Sequence, residues 1–117
     1  MLAGIMDDDL PTDLLVSAQI RLAAKQGVPI TVVRRGDSSR GTILLKINTL
    51  DGLIKVYGQV RIDEALAWSP AAGDKPMPEA QADAYLAEQA SFDPDCWILE
   101  IEDRQGRLWF EGKVLEI

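Results

Sequence analysis

One stretch of the chain repeats its apolar residues at helical spacing, a second is rich in alanine, and most of the remainder alternates as strands do. From Thr12 to Gln26 the apolar residues fall on two sides of a helix. Leu14, Leu15, Ala18 and Leu22 form one stripe, and Val16, Ile20 and Ala23 a second nearly opposite. Thr12 suits the N-cap, Asp13 the first turn and Gly27 the left-handed stop. One stripe covers a sheet; the other calls for a partner, either a second helix or another chain. That second helix is predicted over Glu79 to Ala90, alanine-rich and carrying Tyr85 and Leu86, opened by Pro78 and ended by Asp93-Pro94-Asp95.

Between the helices, β-branched Ile30 to Val33 and the run Thr42 to Leu50 flank the loop Arg34 to Gly41, which reads as a first hairpin. Asp51-Gly52 predicts a two-residue turn with Leu50 opposite Leu53. In that register Ile43, Leu45, Ile47, Ile54, Val56 and Val60 face the core. Lys46, Asn48, Lys55, Tyr57, Gln59 and Arg61 then make a basic, solvated face. Leu66 to Trp68 adds a short strand before Ser69-Pro70. Cys96 to Asp103 and Arg107 to Phe110 form a last hairpin about Arg104-Gln105-Gly106, apolar on both faces. The expectation is an α+β domain over residues 11–117, with a largely antiparallel sheet of about five strands and two helices. Residues 1–10 read as a mobile tail.

Composition narrows the chemistry. A chain of 117 residues has room for one core. No histidine is present and Cys96 is the single cysteine, which removes the Ser-His-Asp and Cys-His relays, the usual zinc ligand sets and any internal disulfide. A net charge of −7 argues against nucleic acid as a general partner. No apolar run is long enough to span a membrane, and Asp7, Asp8 and Asp9 follow a start with no basic residue, unlike a secretion signal. A cytoplasmic protein without cofactor or metal is expected.

Several segments are familiar together. They are Pro11-Thr12-Asp13-Leu14 with Val16-Ser17-Ala18, the Arg34-Arg35-Gly36-Asp37 loop with Leu44-Leu45-Lys46, and Asp93-Pro94-Asp95-Cys96-Trp97. Glu100-Ile101-Glu102-Asp103, Gly106-Arg107 and Phe110-Glu111-Gly112 complete the set. In this order the chain from Pro11 to Gly112 resembles a family of short bacterial proteins known only as domain of unknown function 1491. The resemblance implies a small cytoplasmic bacterial protein and carries no activity, cofactor or catalytic residue.

Candidate sites follow from residue types. Arg34, Arg35 and Arg40, beside Gly36 and Gly41, can offer guanidinium forks and backbone N–H groups to an anion. Arg35-Gly36-Asp37 spells an adhesion tripeptide but reads as a turn. Glu100 and Glu102 project from one side of a strand, where a carboxylate pair can hold a cation or work as acid and base. Cys96 and the three tryptophans read as core. No residue stands out as catalytic. The sequence therefore favours a non-enzymatic interaction or accessory domain, binding a protein partner or a second copy through Val16, Ile20, Leu108 and Phe110 and through Lys46, Lys55, Tyr57 and Arg61. The alternative is an anion or small-ligand binder, or a carboxylate-dependent enzyme, using the Arg34 to Arg40 loop with Glu100 and Glu102. A pocket joining the arginine loop to the glutamates favours the alternative; a flat patch over Val16, Ile20, Leu108 and Phe110 favours the first.

Overall fold

The structure, a computed structural model, describes residues 10–115. Along the chain run α1 (Thr12–Lys25), β1 (Ile30–Arg34), β2 (Ile43–Asn48), β3 (Leu53–Ile62), β4 (Ala65–Ala71) and β5 (Met77–Pro78). Then follow α2 (Glu79–Phe92), β6 (Trp97–Glu102) and β7 (Lys113–Val114). The class is α+β, as expected, but the sheet has seven strands in the order β1-β6-β2-β3-β4-β7, with β5 on β3. The tail expected over residues 1–10 lies outside the described residues apart from Leu10.

The sheet is mixed rather than largely antiparallel, because neither expected outer hairpin forms. β6 inserts between β1 and β2, antiparallel to the first and parallel to the second. The segment after Asp103 does not return as a strand beside β6; it crosses to the far edge, where β7 pairs parallel with β4. Strand alternation cannot distinguish a local hairpin from a distant strand filling the same gap, since both satisfy the same pattern.

The central hairpin forms in a different register. The turn after β2 is longer than two residues, with Asn48 opposite Ile54 and Leu45 opposite Tyr57. Asn48 Oδ1 accepts the Leu50 N–H and Asp51 Oδ1 accepts the Leu53 N–H, while Leu50 and Gly52 take positive φ. Side chains thus stabilise a wider loop than the two-residue turn. The one-residue slip exchanges the faces of β3 relative to β2. Ile43, Leu45 and Ile47 share a core with Tyr57, while Leu44 shares the opposite core with Ile54 and Val56.

Both faces of the sheet are covered. On one, α1 inserts Leu15, Val16 and Ala23 against Trp97, Leu99 and Ile101, and Phe110 meets Trp68 edge-on at 5.7 Å. On the other, α2 inserts Ala82 and Leu86 against Ile98, Ile54 and Val56. The inward face of α1 thus draws on both expected stripes, leaving Leu14 and Leu22 about half exposed. Pro11, not Thr12, occupies the N-cap. Thr12 Oγ1 instead donates to the Gly41 carbonyl, tying the helix start to the arginine loop. Among the described residues no helix is long and apolar enough to cross a membrane.

Candidate functional site

β1 is an edge strand, and its pairing with β6 is interrupted. Thr31 faces Glu100 and Val32 faces Leu99, but Ile98 is met by Arg34, so Val33 is the extra residue of a β-bulge. In an unbroken strand Arg34 would share the face of Ile30 and Val32, toward α1. The bulge turns it over, onto the face of Ile98 and Glu100 beneath α2. There it lines an open groove of about 650 Å³. Leu86, Ala87 and Ala90 of α2 form one wall, Val33 and Ile98 lie on the sheet side, and Lys46, Asp83 and Glu100 stand at one end.

At that end Lys46 is 5% exposed, contrary to the solvated face expected of it, because α2 lies over it. Its Nζ is 2.7 Å from Glu79 Oε2, 2.8 Å from Asp83 Oδ1 and 3.8 Å from Glu100 Oε1. Asn48 Nδ2 donates to the other Glu100 oxygen at 2.9 Å. Burial alone would lower the Lys46 pKa, but the hydrogen bonds to Asp83 and Glu79 and the Glu100 charge outweigh it and hold the ammonium above its usual value. The three carboxylates converge on this ammonium, so Glu100 is committed to Lys46. Glu102, two residues along from Glu100, faces Asn48 across the β2–β6 pair instead.

At the opposite end the Arg34 guanidinium donates through Nη2 to the Pro94 carbonyl at 2.9 Å. Among the described residues its Nε is the one buried side-chain polar atom without a hydrogen-bond partner. An unmet buried donor costs about 1–3 kcal/mol, so it is an anomaly in an otherwise well-satisfied structure. Cys96 is buried close by; burial and the Asp93 charge push its thiol up, more than Arg34 offsets.

The other arginines of the loop go elsewhere. Arg35 lies over the Trp97 ring at 5.0 Å and approaches Asp13 at 3.9 Å. Arg40 lines a separate pocket of about 350 Å³ with Gln59 and Arg61 beside the start of α1. Arg34, Arg35 and Arg40 therefore do not converge on one anion. The loop glycines answer to packing: a Cβ on Gly36 or Gly41 would overlap the Asp95 carbonyl. The loop is fixed by Asp37 N–H to Asp95 O and Trp97 Nε1–H to Asp37 O.

Nor do the residues expected of a docking surface form one. Val16, Tyr57 and Phe110 are buried, and Ile20 and Leu108 pack partly buried against the same core. The register slip separates the basic set, putting Lys46 under α2 and Tyr57 toward α1, where Lys55 lies over its ring at 5.3 Å. Sequence reasoning missed the contribution of α2. Its signal was present: Glu79 and Asp83 stand at i and i+4 on an otherwise uncharged turn, and like charges at that spacing repel unless a cation lies between them.

Among solved structures, the chain is similar to a DUF1491 family protein from Caulobacter crescentus CB15. Its crystal structure matches with 33% identity and a TM-score of 0.79, covering 92% of this chain and 99% of that one. Its NMR structure matches with 34% identity and a TM-score of 0.78, covering 92% and 98%. The solution structure of protein Atu0922 from A. tumefaciens matches with 26% identity and a TM-score of 0.61, covering 80% and 86%. A comparison with curated proteins found no match. The family model described as "Protein of unknown function (DUF1491)" matches residues 10–111. The chain therefore belongs to the DUF1491 family.

Proposed function

We propose that this chain is a non-catalytic ligand-binding domain of the cytoplasm and that its ligand occupies the groove between α2 and strands β1, β6 and β2. The observation that carries the reading is the bulge at Val33, which brings Arg34 into the same groove as Glu100 and Lys46. Bulges that re-aim a side chain are common beside binding sites. An apolar wall with a few polar groups at its ends is the ordinary constitution of a small-molecule site, and about 650 Å³ is an ordinary size for one. Binding rather than turnover follows from the charges: Lys46 is held protonated by its three carboxylates, which leaves neither a free amine nor an uncommitted acid to move a proton.

The test is a thermal-shift screen of a mixture of cellular metabolites against the wild type and an Ala87→Trp variant. Ala87 is exposed on the groove wall, so the indole fills the groove without disturbing the core. Fractions that stabilise the wild type and not the variant support the reading; stabilisation of both alike, or of neither, refutes it. A second reading, docking on a protein partner or a second copy, is supported by the outer stripe of α1, where Leu14 and Leu22 are 56% and 51% exposed. It moves the expected contact from Val16 and Ile20 to Leu14 and Leu22.

A further inference from the structure

We infer that the groove takes an amphiphilic monocarboxylate, its carboxylate against Arg34 and its apolar body along Leu86, Ala87, Ala90 and Ile98. The inference rests on the ligand reading of the groove and names the class of ligand. Arg34 is the cation of the groove that no carboxylate among the described residues neutralises; its Nη2 donates to the Pro94 carbonyl and the guanidinium hydrogen-bonds the Cys96 thiol, while its Nε is enclosed by protein. A guanidinium carries one positive charge, which a planar carboxylate matches in both charge and parallel hydrogen bonds, whereas a phosphate monoester offers the same bonds with about −1.5 to −2 of charge.

The rest of the groove limits what else the ligand carries. In β-sheet register Arg34 stands opposite Ile98 and Lys46 beside Glu100, on the other side of β6, so their backbones are offset by roughly 7 Å along the strands and roughly 10 Å across them. Lys46 cannot serve a second anion, since Glu79, Asp83 and Glu100 already surround it with more negative charge than its own. A diacid or a phosphate ester charged at both ends would bring an anion against those carboxylates. Between the two ends the wall is Leu86, Ala87, Ala90, Ile98 and Val33, with Ser91 the lone hydroxyl, so the body of the ligand is apolar. One charged end and one apolar body describe a free aliphatic or aryl acid.

The experiment is a titration of the 15N-labelled protein, followed by amide chemical shifts, with three probes of equal chain length: octanoate, 1-octanol and octylamine. Octanoate is expected to shift the amides of Ala87, Ala90, Ile98 and Arg34. Its affinity is expected to fall at least about tenfold in Arg34→Gln, the loss of one charge-assisted contact. Should Arg34→Gln unfold, Ala87→Glu serves instead: the site is exposed, and a carboxylate on the wall is expected to weaken octanoate while leaving or strengthening octylamine. Octanol or octylamine binding as tightly as octanoate overturns the carboxylate while leaving the groove a ligand site. Octanoate shifting no groove amide also overturns it, and so does octanoate binding that neither variant weakens.

Discussion

Asp103, 4% exposed at the end of β6, organises the residues that follow it. Its carboxylate accepts from the Gln105 N–H at 2.8 Å, Arg107 Nε at 2.7 Å and Trp109 Nε1 at 2.8 Å. Burial by itself would raise its pKa, but these hydrogen bonds and the Arg107 charge prevail and hold it below the usual carboxylate value. A folded-state pKa below the unfolded one means that this contribution is complete above about pH 4 and is lost as pH falls through the lowered value. Asp103→Asn is therefore expected to cost about 2–3 kcal/mol at neutral pH. The gap from wild type should shrink in strong acid, as measured by urea unfolding at pH 7 and pH 2.5. A gap equal at both would show that shape, not charge, fixes the turn. From the sequence the Arg104-Gln105-Gly106 turn was legible, but the convergence of three donors on the residue before it was not. That convergence depends on Trp109 taking a left-handed φ of 65°, which no propensity suggests for tryptophan.

At the scale of elements, α2 and β2 are joined by the Lys46 cluster. Lys46→Met keeps the volume but leaves Glu79, Asp83 and Glu100 facing one another. It is expected to cost about 1–3 kcal/mol at pH 7, below the usual figure for a broken buried pair because Glu79 and Asp83 are half exposed. The raised pKa gives a second sign: the ammonium's contribution is complete below about pH 10 and is lost as pH climbs through the raised value, so the wild type should approach the variant in strong alkali. Denaturation midpoints of both proteins at pH 7 and pH 11 check this, and a constant difference would remove the charge from the account. Both helices were legible in the sequence to within a residue or two at their ends, since apolar periodicity marks the first, alanine content the second, and breakers the ends of both. The faces of β3 were not. They depend on the parity of the turn before it, and Asp51-Gly52 signals the shorter turn while Asn48 and Asp51 cap the longer one. That single residue of parity placed Ile54 and Val56 on the face of Lys46, where α2 covers them, so the face expected to be solvated is a second core with the candidate site at its side.

For the whole molecule, the decisive feature is that β6 pairs with both β1 and β2 from a position about fifty residues later in the chain. A fragment ending at Phe92 keeps β1 to β5 and both helices yet lacks the strand that joins β1 to the rest. It is expected to show no dispersed amide spectrum and no cooperative thermal transition, whereas the full chain shows both; a cooperatively folded fragment would mean that β2 to β5 suffice. The same arrangement bears on synthesis. At about 5–20 residues per second, β2 is made roughly 3–11 seconds before β6 is complete. Through that interval Ile30 to Val33 and Ile43 to Ile47 are tethered by a short loop with nothing between them. The nearest pairing open to them is the β1–β2 hairpin that the alternation itself suggests. Nascent chains thus pass through a period in which the most local pairing is the wrong one, and β6, on arrival, must open it rather than extend it.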